Sequence, residues 1–185
     1  GATSSGKTTL VNALLAEIAA TGDRVLVLED TVELQCAARD HVPLRTRRGV
    51  VSMQELVRSS MRLRPDRVVV GEVRGAEALD LIKVWGTGHP GGIATIHAGS
   101  ALGALLRLEQ LILEVAVNPP RALIAEAVNV VIYIAGRGRR RRIENIARLN
   151  GFDGAGYRLA DALETPFPEP PSQSDFSSPS LNHPG

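Results

Sequence analysis

The chain contains one cysteine, Cys36, so no disulfide can form within it, and nothing in the surrounding sequence marks that thiol as an activated nucleophile. A cysteine count this low fits a reducing compartment. Aromatic residues make up 3% of the composition, too few for the stacking platforms that hold single-stranded nucleic acid. A run of about 18 uncharged apolar residues is absent, which excludes a membrane-spanning helix within this sequence. The formal net charge of +1 excludes strong electrostatic steering toward nucleic acid or an anionic membrane. Lysine is scarcer than any other charged type: of 21 basic residues only Lys7 and Lys83 are lysines.

The first of those two lysines stands in the most informative stretch of the chain. Residues Gly1, Ala2, Thr3, Ser4, Ser5, Gly6, Lys7 and Thr8 form a G-x-x-x-x-G-K-[ST] phosphate-binding loop, with Thr9 continuing it. Glycines at both ends allow backbone conformations closed to residues with a Cβ, so that successive N–H groups turn inward around a polyphosphate. The following helix adds its unsatisfied N-terminal donors and positive dipole end. In this geometry Lys7 reaches the β- and γ-phosphates, and the Thr8 hydroxyl ligates Mg²⁺. The strand that delivers such a loop is expected just before Gly1, so the sequence reads as a piece of a longer protein.

Apolar residues Leu10, Val11, Leu14, Leu15 and Ile18 recur at helical spacing, and Gly22 is expected just past the helix end. Strands are expected over 24–28, 41–48, 67–71, 92–97 and 130–135. Helices are expected over 52–62, with Ser52 and Glu55 as a capping box, and over 76–85, 101–113 and 120–128. Hairpin strands follow over 141–149. Alternating strands and helices predict an α/β fold whose mainly parallel sheet offers ligands the carboxyl ends of its strands. At 185 residues and 44% hydrophobic, one folded domain over 1–164 is expected. Residues 165–185 hold six prolines and five serines, a composition that predicts a disordered tail.

Polar groups stand where those strands end. The apolar run Val68-Val69-Val70-Gly71 closes on Glu72, which can hold the hydration shell of Mg²⁺ or polarise an attacking water. A second run, 25–28, closes on Glu29 and Asp30, with Glu33 after a short turn; sequence leaves open which of Glu29 and Glu72 activates water and which organises metal. Residues 92–97 close on His97, which can donate a hydrogen bond to the γ-phosphate. Arg74, Arg45, Arg47 and Arg48 are the candidate cations for transition-state charge, although arginines at such positions are more often solvated or ion-paired. His89 lies in a connection containing four glycines and one proline, read as a tight turn. The run Arg137, Arg139–Arg142 is read as a solvated hairpin turn, with a weak partner or phospholipid contact as the alternative.

In order, GATSSGKTTL, LEDTVEL, LRPDRVVVGEVRGAEALD and GHPGGIATIHAGS resemble the Walker A, Asp box, Walker B and His box of the secretion-ATPase family. That family serves type II and type IV secretion, pilus retraction and conjugation, and the segments VELQCAARDHVPLRTR and WGTGHPGG resemble its conjugal-transfer branch. The likeness covers roughly residues 1–160. It implies a RecA-like P-loop domain, hydrolysis of ATP with Mg²⁺, a homo-hexamer, and peripheral work at the cytoplasmic face of a bacterial inner membrane on a DNA-transfer and pilus-assembly channel. Direct contact with DNA is left open. By motif position it assigns phosphate binding to Gly1–Thr9, metal and water organisation to Glu29 and Glu72, and γ-phosphate sensing to His97. It also implies an N-terminal domain that closes over the nucleotide and supplies arginines. Ser4 departs from the glycine common in the family, a change expected to be tolerated if its φ stays negative. A type II secretion or pilus-retraction ATPase, a P-loop kinase acting on a small acceptor and a non-catalytic nucleotide-binding assembly subunit are the competing readings.

Overall fold

The computed structural model describes residues 1–89 and 91–163. The proline- and serine-rich tail expected over 165–185 lies outside them. In chain order the elements are α1 (Lys7–Ile18), β1 (Val25–Glu29), β2 (His41–Arg45), α2 (Met53–Ser60), β3 (Arg67–Val70), α3 (Glu77–Gly86), β4 (Ile93–Ala94), α4 (Ala101–Ile112), α5 (Arg121–Ala127), β5 (Val130–Ala135), β6 (Arg142–Phe152) and β7 (Tyr157–Asp161).

Strands β1 and β3 are apolar at almost every position because the sheet they form is covered on both faces. Leu26, Leu28, Val68 and Val70 pack among Leu56 and Val57 of α2, Leu81 and Ile82 of α3, Leu105 of α4 and Ile124 of α5. The alternate residues Val25, Val27 and Val69 pack on Val11, Leu15 and Ile18 of α1. Each such fully buried side chain contributes roughly 1.5–3 kcal/mol relative to exposure. The sheet is parallel throughout, in the order β2-β1-β3-β4. Leu28 lies opposite Val70, and Val70 opposite Ala94, so the carboxyl ends of β1, β3 and β4 open on one edge.

Three details differ from the sequence expectation. Helix α1 is closed by Thr21, whose N–H and hydroxyl both donate to the Ile18 carbonyl at 2.9 Å; Gly22 turns the chain only afterwards, with φ +79°. Strand β4 pairs in register only at Ile93 and Ala94; beyond it the Val73 N–H donates to the Thr95 carbonyl at 2.9 Å and the Thr95 hydroxyl donates to the Gly71 carbonyl at 2.6 Å. The expected hairpin is a three-stranded antiparallel sheet, β5-β6-β7, in which β6 runs on to Phe152 and pairs with β7. The capping box on α2 is present as read: Glu55 donates its N–H to the Ser52 hydroxyl, and its carboxylate accepts the Ser52 N–H at 2.7 Å. Among the described residues no helix is long and apolar enough to cross a membrane.

Candidate functional site

The phosphate-binding loop wraps the start of α1. Gly6 caps the helix with φ +99°, a conformation that glycine adopts without the penalty a Cβ brings. Gly1 is required for a different reason: a Cβ there would meet the Ile134 carbonyl oxygen at 2.5 Å and the Ser5 hydroxyl at 2.6 Å. Ser4 has φ +62°, which corrects the expectation of a negative φ; the turn between Thr3 and Ser5 imposes the left-handed conformation although the residue carries a Cβ. Ser5 is buried, and its hydroxyl has no hydrogen-bond partner.

A cavity of about 430 Å³ lies between this loop and the strand ends. Thr3, Ser4, Gly6, Lys7, Thr8 and Thr9 line one side, and Glu29, Asp30, Glu33, Gly71, Glu72, Arg74, Thr95 and His97 line the other. The fold thus brings together Lys7, Thr8, Glu29, Glu72, Arg74 and His97 from four separate segments of sequence. Arg45 and Arg47 are not among the lining residues; Arg45 ends β2 on its exposed side, and Arg47 bridges to Val51 in the turn that follows.

A continuous polar chain crosses the cavity. Lys7 Nζ donates to the carbonyls of Gly1 at 3.2 Å and Ala2 at 3.1 Å, and it lies 3.3 Å from His97 Nδ1. His97 Nε2 lies 2.8 Å from Glu72 Oε1, and Glu72 Oε2 accepts from Arg74 at 2.6 Å. With Lys7 donating on one side and a carboxylate accepting on the other, Nδ1 is placed to accept and Nε2 to donate. Partial burial acts to raise the Glu72 pKa, but Arg74, His97 and Lys7 together outweigh it and hold the carboxyl below its ordinary value. Burial lowers the Lys7 pKa, with Arg74 adding to that effect and Glu72 and Glu33 opposing it.

Glu29 occupies a different environment. It is buried, and its Oε1 accepts the N–H groups of Glu33 at 3.0 Å and Leu34 at 2.8 Å, so it shapes the acidic loop after β1. Asn12 of α1 clasps the same loop, donating to the Glu33 carbonyl and accepting the Gln35 N–H at 2.9 Å. The loop in turn presents Glu33, whose carboxylate accepts the Thr8 hydroxyl at 3.0 Å. No local pattern marks Asn12, because only the fold sets an asparagine on α1 beside the loop 23 residues later.

Arg137 and Arg139–Arg142 are exposed at the turn between β5 and β6, as the sequence reading expected, and one of them, Arg141, also lines the cavity. The turn after β5 folds back because Gly136 takes φ +82° against the Arg140 carbonyl, and the exposed Arg141 side chain lies beside the phosphate loop. A Cβ at position 6 would lie 3.3 Å from its Cδ. No group of three or more His, Cys, Asp or Glu side chains among the described residues could hold a metal ion by itself. A divalent cation here would therefore need oxygens from a bound phosphate beside Thr8 and the carboxylates.

Comparisons with known proteins identify the family. The family model described as type II/IV secretion system protein matches residues 1–137. The conjugal transfer protein TrbB of Rhizobium radiobacter is 49% identical over 160 residues, which is 85% of this chain and 49% of the relative. The type IV secretion system protein PtlH of Bordetella pertussis is 38% identical over 162 residues, 79% of this chain and 48% of the relative. Among solved structures, the VirB11 ATPase of the Brucella suis type IV secretion system, in complex with sulphate, superposes with a TM-score of 0.72 at 34% identity, covering 80% of this chain and 46% of that one. The chain spans about half the length of the curated relatives it matches. With the phosphate loop, the acidic strand ends and the histidine in one cavity, and the family match running through all of them, the chain belongs to the type II/IV secretion system protein family.

Proposed function

We propose that this chain is the ATP-hydrolysing part of a motor that drives a conjugative type IV secretion apparatus. The observation that carries the reading is the contact chain Lys7–His97–Glu72–Arg74 spanning the mouth of a phosphate-binding loop. In this reading the loop N–H groups and Lys7 hold the β- and γ-phosphates, and Lys7 exchanges its two carbonyl acceptors for charged phosphate oxygens. Arg74 is drawn from Glu72 toward the γ-phosphate, which frees the carboxylate to take a proton from the attacking water. His97, between Lys7 and Glu72, registers whether the γ-phosphate is present. Glu29 acts by holding the acidic loop in place. Thr8, Glu33 and Glu72 are the residues placed to surround Mg²⁺, which would neutralise phosphate charge.

The wider reading is a homo-hexamer working peripherally at the inner membrane on a DNA-transfer channel. The names of TrbB, PtlH and the Brucella suis ATPase support the secretion part of it, as these proteins are named for conjugal transfer or type IV secretion. The test is magnesium-dependent phosphate release by the full-length protein with no acceptor added. Lys7→Ala is expected to abolish ATP binding. Glu72→Gln is expected to bind ATP normally while turnover falls about 10² to 10⁴-fold. Wild-type protein that binds ATP but releases no phosphate would sink the motor reading and favour a nucleotide-stabilised assembly subunit.

A further inference from the structure

We infer that Arg141 is a phosphate-binding residue of the nucleotide site, reaching across Gly6 from the turn between β5 and β6. The inference rests on the nucleotide reading above and extends it to a residue outside every recognised motif. Its basis is position, charge balance and availability.

The side chain lies against the phosphate loop at Gly6, where the missing Cβ leaves room for its aliphatic stem. A larger residue at position 6 would displace it. The cavity lining holds four carboxylates, Glu29, Asp30, Glu33 and Glu72, against three cations, Lys7, Arg74 and Arg141. A triphosphate entering this cavity adds further negative charge, so every cation free to turn to it has large leverage. Arg74 is already held by Glu72 at 2.6 Å and lies 3.9 Å from Asp30. Lys7 is held by the loop carbonyls. The Arg141 guanidinium has no hydrogen-bond or ion-pair partner among the described residues, so it can engage a phosphate without first giving up a carboxylate. A planar guanidinium with paired N–H groups also matches two phosphate oxygens better than a point charge does.

The same turn explains why only one arginine of the run takes this role. Arg142 pairs with Glu144 at 2.7 Å, while Arg139 and Arg140 lie in the short 3₁₀ turn Gly138–Arg140 and do not line the cavity. Arg139 is therefore a built-in control of equal charge.

The experiment is calorimetric titration of the full-length wild-type protein and of Arg141→Ala, Arg141→Lys and Arg139→Ala with ATP and with adenosine. Arg141→Ala should weaken ATP binding on the order of tenfold or more, as expected for loss of a charge-assisted contact, with adenosine affinity unchanged. Arg141→Lys should recover part of the loss, and Arg139→Ala should bind like wild type. Thermal melting of Arg141→Ala should match wild type, since the guanidinium holds no other part of the fold. ATP affinity unchanged in Arg141→Ala, or lowered equally in Arg139→Ala, overturns the inference while the nucleotide site stands. Failure of the wild type to bind ATP overturns both.

Discussion

Ser4 shows how a single residue can store strain in the phosphate loop. It is exposed and takes φ +62°, where an L-residue with a Cβ is disfavoured by roughly 1–2 kcal/mol. Glycine removes that penalty but brings a larger loss of backbone entropy on folding, about 0.5–1 kcal/mol. Ser4→Gly is therefore expected to stabilise the fold by up to about 1 kcal/mol. Ser4→Val, with its branched Cβ, is expected to destabilise it by a similar amount. Urea unfolding of both variants, followed by circular dichroism, measures the difference, and a Ser4→Gly variant clearly less stable than wild type contradicts the strain argument. Gly6 and Gly71 show the complementary case, in which the absence of a Cβ creates space. At Gly6 that space takes the Arg141 stem, and at Gly71 a Cβ would crowd the Glu29 Cγ at 3.3 Å.

At the scale of elements, the acidic loop after β1 depends on one buried carboxylate. Glu29 ends β1, and its Oε1 serves as acceptor for two backbone N–H groups of the segment that carries Glu33 to Thr8. Removing that acceptor strands two donors, each costing about 1–3 kcal/mol where it stays dry. Glu29→Ala is thus expected to lose about 2–4 kcal/mol of stability. Glu29→Gln keeps an oxygen in place and should lose much less. Denaturant unfolding of the pair checks this, and equal losses would mean that the carboxylate charge, not its acceptor oxygen, holds the loop. The contrast also marks how far sequence could be read. The loop, helix and strands were legible because each rests on local spacing: glycines at fixed offsets, apolar periodicity, and acids directly after buried strands. The placement of Glu29, Glu72 and His97 at one edge followed from a parallel sheet. Glu29's engagement with backbone, Asn12's clasp and the selection of Arg141 from five arginines were not legible, because each depends on contacts between segments far apart in sequence.

In the molecule as a whole, the parallel sheet and the antiparallel sheet are joined through helices. Leu149 of β6 is buried in the same core as Leu26 and Val68, with Tyr157 and Leu159 of β7 packed against it. Beside that core, Glu109 of α4 is buried and accepts from Arg121 of α5 at 3.0–3.1 Å, and the Arg121 guanidinium lies 5.7 Å from the Phe152 ring centroid. Phe152 meets Tyr157 edge to face at 5.4 Å. One polar group thus ties α4, α5 and β6 together, and β5 leads from there to the turn that carries Arg141. Burial, followed by the Glu109 carboxylate, pushes the Tyr157 phenol well above its ordinary value. Because the folded pKa is raised, the stability linked to this phenol is intact below its unfolded value near 10 and is lost as pH rises from there toward the folded pKa. Half of the Arg121 side chain is exposed, so solvent screening reduces the pair below the value of a fully buried one. A double-mutant cycle of Glu109→Gln and Arg121→Gln is expected to give a coupling of about 1–2 kcal/mol. Each single variant should also weaken protection of β6 amides in hydrogen exchange, since the junction holds that strand to the helices. A coupling near zero with β6 protection unchanged would show that apolar packing around Leu149 alone joins the two sheets.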